Sequence, residues 1–73
     1  MVTISIPVGD YFQHTHDHES TSEILQGVAR VKVGTQTFVM NMGELISVPA
    51  DTPHSFENIS QEMLLVSCGH KNS

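Results

Sequence analysis

Residues 43–58 read GELISVPADTPHSFEN, and this stretch decides how the chain folds. Its apolar run at residues 45–48 has the length of a short strand, and Pro49 and Pro53 follow immediately. Because proline has no backbone N–H to donate to a sheet ladder, residues 49–53 are predicted to form a loop. An extended path resumes at residues 54–56. The stretch therefore predicts a strand, a proline-bounded loop and a second strand that begins at His54.

The rest of the chain has the same character, with short apolar runs separated by glycine and proline. No segment repeats apolar residues every three or four positions, and the one competitor to a strand is a short helix over residues 60–66. Strands are predicted at residues 2–6, 11–18, 29–33, 37–40, 45–48, 54–56 and 63–67. Many short strands with regular turn residues are typical of an all-β sandwich or barrel.

Length and charge restrict the possible functions. The 73 residues form at most one domain, and the formal net charge is −5, with three basic side chains against eight acidic ones. This balance excludes a surface for nucleic acid or anionic membrane. A chain of this size buries only about 60% of its unfolded surface, so a partner subunit or a metal is expected to support the core. Cys68, the one cysteine, excludes a disulfide framework, and a cytoplasmic location is expected.

Histidine is concentrated in the segment HTHDH, residues 14–18. Alternate side chains of an extended strand share a face about 6.6 Å apart, so two neighbouring imidazoles can bind one ion. A transition-metal site needs three or four ligands, and another segment has to supply the others. The candidates are His54, Glu19, Glu23 and His70. A solvated histidine-rich edge without a bound ion is the alternative.

The stretch at residues 43–58 resembles the second sequence motif of the cupin family. Gly43, Pro49, His54 and Asn58 stand at its marked positions, and Asp51 stands where the family usually has glycine. The resemblance runs from about residue 9 to residue 66. It implies a small double-stranded β-helix barrel, a relative of the jelly roll, with a metal site inside its mouth.

Residues 14–27 resemble the first cupin motif. His14, His16 and Gly27 have the motif's spacing, while the carboxylate position holds Ser20. The resemblance implies that His14, His16 and His54 bind a divalent transition metal, such as Fe, Zn, Mn or Ni. Because a serine hydroxyl is a poor ligand for these ions, water is expected to complete the set.

Other side chains near this segment have candidate roles. Glu23 is the candidate general base if it reaches the cavity. His18 and Glu19 are candidates for a fourth ligand or for a partner to the ligands. An alternative register takes His16, His18 and Glu23 as ligands together with His54, which gives four protein ligands, but its distance to Gly27 departs from the motif.

The predicted domain covers residues 1–73, with the conserved barrel at about residues 9–68 and a flexible tail at 69–73. Because about thirteen residues precede the first motif, the barrel is nearly minimal, and the N-terminal strand is expected to be shared in a homodimer. Three functions stay open. The first is a metal-dependent enzyme for a small molecule, a dioxygenase, isomerase or decarboxylase. The second is a non-catalytic module that binds a small molecule or a metal, and the third is a metal-free dimer.

Overall fold

The computed structural model describes residues 2–15 and 19–70, and these form strands, turns and loops without a helix. The eight strands are β1 (Val2–Ile6), β2 (Tyr11–His14), β3 (Ser20–Gln26), β4 (Ala29–Val33), β5 (Gln36–Met40), β6 (Leu45–Val48), β7 (His54–Asn58) and β8 (Leu64–His70). The all-β prediction is confirmed, and the competing helix over residues 60–66 does not form. Within the described ranges no helix is long and apolar enough to cross a membrane.

The strands form two antiparallel sheets of four. The first sheet has the order β1-β8-β3-β6 and the second has the order β2-β7-β4-β5. Consecutive strands alternate between the sheets except at the β4–β5 hairpin, where Gly34 adopts a positive φ of 59°. Such repeated crossing between two facing sheets is the jelly-roll arrangement.

The inner faces of the two sheets enclose the apolar core. Strand side chains alternate between faces, so every second residue points inward. Ile24, Leu64 and Val66 of the first sheet and Val31 of the second are fully buried, and Phe56 is 1% exposed. Burial of each of these side chains contributes on the order of 2 kcal/mol, so they hold the sheets together.

The strands differ from the prediction in three places: β3 is additional to the seven predicted strands, and β7 and β8 run beyond residues 56 and 67. β3 begins at Ser20, inside a polar stretch, because small hydroxyl side chains are compatible with a strand. β8 continues to His70, whose backbone pairs with Ser20, so the strand enters the predicted tail. β1 pairs with β8 of its own chain, with Ile4 opposite Val66, and a further role for β1 in a dimer stays a prediction.

Gly27 and Asp51 are two of the positions with a left-handed backbone, and different residue types adopt it there. Gly27 has a φ of +87°, and a Cβ there would lie 2.9 Å from Ser60 Oγ and 3.3 Å from Leu64 Cα. Asp51, where the resemblance predicts glycine, has a φ of 60°. Aspartate is among the non-glycine residues that tolerate this conformation best. The replacement of the family's usual glycine by Asp51 is therefore compatible with the left-handed backbone conformation of the proline-bounded loop.

Candidate functional site

Two of the three predicted metal ligands lie side by side. β2 runs antiparallel to β7, and His14 lies directly opposite His54. Residues opposite each other in a sheet point to the same face. The centroids of the two imidazole rings are 6.0 Å apart and the rings are almost perpendicular, at 82°. Strands that are 40 residues apart in sequence thus bring both histidines to one place.

The histidine pair sits inside one open end of the barrel, which we call the mouth. His14 ends β2 and His54 begins β7, and the neighbouring strands of the first sheet begin at Ser20 and end at Val48. The next inward-facing pair along the same two strands is Phe12 and Phe56. His54 is 3% exposed and His14 is half-buried. The mouth is therefore polar at its rim and apolar immediately below.

Hydrogen bonding and packing orient both rings. Nδ1 of His54 lies 3.3 Å from the carbonyl oxygen of Thr52, in the proline-bounded loop. Because a carbonyl only accepts hydrogen bonds, Nδ1 donates, and a neutral ring then carries its lone pair on Nε2. The ring of Phe12 stacks on His14 at 5.4 Å, and that of Phe56 meets His54 edge-on at 5.8 Å. A backbone carbonyl on one imidazole nitrogen is the arrangement that prepares the other for a metal.

The spacing of the two rings suits a shared ion. Bonds of about 2.1 Å from a tetrahedral metal to one nitrogen of each ring would place the ring centroids about 5 Å apart. The observed 6.0 Å is somewhat wider. Among residues 2–15 and 19–70 no three His, Cys, Asp or Glu side chains are grouped to hold a metal. The third predicted ligand, His16, lies outside the described residues.

The first sheet contributes hydroxyl groups to the interior. Ser20 and Ser22 are each 1% exposed and share the inner face of β3 with Ile24. Ser22 Oγ lies 3.5 Å from Cys68 Sγ, whereas Ser20 Oγ has no hydrogen-bond partner within the part of the chain that the structure describes. A buried hydroxyl without a partner costs about 1–3 kcal/mol. Ser20 is thus a polar group whose burial the described fold leaves uncompensated.

The structure does not bring Glu23, the candidate general base, to the histidine pair. Glu23 lies one residue from both Ser22 and Ile24, so its side chain is on the outer face of the first sheet, opposite Leu45 and Ser67. Glu19 is exposed in the loop before β3. His16 and His18, two of the four ligands of the alternative register, lie outside the described residues.

A shallow depression of about 140 Å³ lies beside the site, on the other side of the second sheet. Its lining comes from an outward-facing row of the sheet and from the adjoining loops: Gln13, Lys32, Gly34, Pro53, His54 and Ser55. His54 is the one member of the histidine pair in this lining. The depression is therefore separate from the barrel interior.

Sequence reasoning missed the residues that support the site. Sequence motifs describe side chains, so they do not reveal the backbone carbonyl of Thr52. The loop that leads through Pro53 to His54 nevertheless indicates where a backbone carbonyl can contact the His54 ring. The packing of Phe12 on His14 was also missed, although two residues of spacing in a strand places both on one face. Asn58, which stands at a marked position of the second motif, makes four side-chain hydrogen bonds at the far end of β7.

Comparison with known proteins identifies the fold family. Residues 2–68 match the family described as the cupin domain. Among curated proteins, none matches. The cupin domain of Cnp3 from Schizosaccharomyces pombe is 27% identical with a TM-score of 0.85, over 97% of this chain and 50% of that one.

Two bacterial structures are similar at lower identity. TT1209 from Thermus thermophilus is 24% identical with a TM-score of 0.81, over 90% of this chain and 65% of that one. A predicted oxalate decarboxylase from Thermotoga maritima is 20% identical with a TM-score of 0.78, over 94% of this chain and 64% of that one. The chain thus spans between half and two thirds of the length of these three solved proteins. The match over residues 2–68, together with the jelly-roll arrangement, shows that the chain belongs to the cupin family.

Proposed function

We propose that this cupin binds a divalent transition metal through His14, His16 and His54 at the mouth of its barrel and acts there on a small molecule. The observation that carries the proposal is the cross-strand pair of His14 and His54, with ring centroids 6.0 Å apart. Imidazole nitrogens suit Fe, Zn, Mn and Ni, and the sequence places a third imidazole two residues beyond His14.

The chain's own groups prepare the site for such an ion. The Thr52 carbonyl holds the ring of His54, and the rings of Phe12 and Phe56 form an apolar floor that limits access of water from below. When bound, the metal would supply a Lewis acid or a centre for dioxygen chemistry. An oxygenation, an isomerisation or a decarboxylation all fit this arrangement. Glu23 is left out of the proposal because it lies on the outer face of β3.

A non-catalytic binding module, working as a homodimer, is the second candidate. Within residues 2–15 and 19–70, no carboxylate or lysine side chain points inward from a strand, because Glu23, Glu57 and Lys32 all occupy outward positions. Apart from the thiol of Cys68 beside Ser22, these strands offer no inward-facing ionisable group besides the histidines, and an enzyme that moves protons needs such a group. A protein that only binds a metal or a small molecule needs none, and this observation favours the second candidate.

Metal loading followed by turnover assays separates the two candidates. The chelator-treated protein is offered Fe(II), Zn(II), Mn(II) and Ni(II) in turn, and bound metal is measured after gel filtration. Loaded protein is then assayed for dioxygen uptake and for conversion of small diketones, thiols and sugars. Metal retention with turnover supports the enzyme, and metal retention without turnover supports the binding module. Failure to retain any of the four metals contradicts the enzyme and the metal-binding module, and it leaves only a module that binds a small molecule without a metal.

A further inference from the structure

Ser20 is the polar group of the interior that the metal ligands leave unexplained. Its side chain is 1% exposed, and its Oγ atom has no hydrogen-bond partner within the described chain. Ser22, the next inward-facing residue of β3, is equally buried, but its hydroxyl contacts Cys68 Sγ at 3.5 Å. Because buried polar groups are almost always hydrogen-bonded, the unpaired hydroxyl indicates a partner that residues 2–15 and 19–70 do not supply.

The hydroxyl lies at the same end of the barrel as the histidine pair. Ser20 begins β3 and His14 ends β2, so only residues 15–19 separate them along the chain. In the first sheet Ser20 is opposite Val48, the last residue of β6, and the loop that leads on from Val48 ends at His54. Both serine and histidines face inward from opposing sheets. A ligand that enters the mouth therefore meets imidazoles on one wall and a hydroxyl on the other.

We propose that Ser20 binds the carboxylate group of a small organic acid, which enters the mouth and occupies the space between the hydroxyl and the metal. This inference rests on the proposed function, because the metal supplies the positive charge. Three neutral imidazoles and a serine leave the double charge of the cation uncompensated, so an anion is favoured beside it. A carboxylate satisfies both demands, since it accepts a hydrogen bond from Oγ–H and faces the cation.

The size of Ser20 agrees with this assignment. A serine side chain is shorter than that of glutamate by one carboxylate group. A glutamate at position 20 would therefore carry its own carboxylate into the space that we assign to the ligand. In the Ser20→Glu variant, the carboxylate of the new side chain would therefore compete with the ligand for this space. Formate and acetate are the smallest carboxylates with which the space can be probed.

Titration of cobalt-loaded protein with acetate and formate tests the proposal. The visible absorption of bound Co(II) reports both metal loading and ligand entry, and chloride at the same ionic strength controls for salt. Wild type is expected to show a saturable spectral change with acetate or formate. Ser20→Ala is expected to bind cobalt equally and acetate about tenfold or more weakly, since it loses a hydrogen bond to a charged acceptor. Ser22→Ala, the matched control, is expected to keep the wild-type acetate affinity within about twofold.

The Ser20→Glu variant tests the proposal from the other side. It is expected to bind cobalt at least as tightly as the wild type, and its visible spectrum is expected not to change when acetate is added. If this larger side chain prevents folding, as judged by circular dichroism, the comparison of Ser20→Ala with Ser22→Ala decides. Cobalt binding with no acetate or formate response in the wild type overturns this inference and leaves the metal site standing. Equal acetate affinity in wild type and Ser20→Ala overturns it as well. A wild type that binds no cobalt overturns the metal site and this inference together.

Discussion

Replacement of Asn58 by alanine should remove a large part of the stability of the barrel. The side chain is 2% exposed and closes the end of β7 opposite to the mouth. Its Nδ2 donates to the carbonyl oxygens of Ile6 at 2.9 Å and Glu62 at 2.7 Å. Its Oδ1 accepts from the backbone N–H of Ser60 at 2.9 Å and from Ser60 Oγ at 2.6 Å. One amide thus joins β1, β7 and the turn that leads to β8.

The expected loss follows from these four hydrogen bonds. Each contributes about 1 kcal/mol net, and water can replace part of those at Ser60 and Glu62, which leaves about 2–3 kcal/mol. The total unfolding free energy of a 73-residue domain is roughly 4–11 kcal/mol at 0.05–0.15 kcal/mol per residue. The single substitution should therefore remove between about a fifth and more than half of it.

Urea unfolding followed by circular dichroism measures this loss. With a slope of about 1 kcal/mol per molar urea, the unfolding midpoint of Asn58→Ala should fall by about 2–3 M. Asn41→Ala is the control, because Asn41 is exposed and its side-chain amide donates to Glu44 at 3.2 Å, so its midpoint should shift by less than about 0.5 M. Asn58→Asp should destabilise at least as strongly as alanine, since it places a carboxylate against two carbonyl oxygens. A midpoint for Asn58→Ala within about 0.5 M of the wild type would refute the reasoning.

Three further substitutions test the turns and the surface by the same urea assay. Gly27→Ala should destabilise by about 1 kcal/mol more than Gly9→Ala, because both glycines have positive φ but only at Gly27 would a Cβ meet other atoms; equal losses would contradict this. Asp51→Gly should stabilise by about 0.5 kcal/mol through relief of the left-handed conformation, and a loss of stability would show that the aspartate side chain contributes instead. Arg30→Ala removes an exposed ion pair with Glu57 at 2.8 Å and should cost less than about 0.5 kcal/mol, so a loss above about 1 kcal/mol is the contrary result.

The fold was predictable because local residue chemistry and global architecture agree. Pro49 and Pro53 set the end of one strand and the start of another, and the alternating valines of β4 define a strand with one buried face. Strand ends were harder to predict. Ser20 and Ser22 belong to a strand because their cross-strand partners bury them, and a polar stretch does not reveal its partners in advance.

The site was only partly predictable for a related reason. Motif spacing selected His14 and His54, and the β2–β7 register, a long-range property, then placed them opposite each other. The predicted role of Glu23 depended on whether its side chain faces the inside or the outside of β3. A shift of one residue in strand register moves a side chain from one face to the other. Ser20 Oγ is buried and unpaired because of the way the two sheets pack around the mouth, and no local sequence pattern predicts this packing.

The metal content of untagged protein purified without chelator tests the account most directly. The wild type should carry about one divalent ion per chain, as three histidine ligands predict. His14→Ala and His54→Ala should lose it, while Gln13→Ala and Ser55→Ala, which alter the neighbouring outward-facing positions of the same strands, should keep it. Circular dichroism confirms that each variant is folded. A wild type that stays metal-free when offered Fe(II), Zn(II), Mn(II) and Ni(II), or histidine variants that retain the full metal content, would contradict the proposed site.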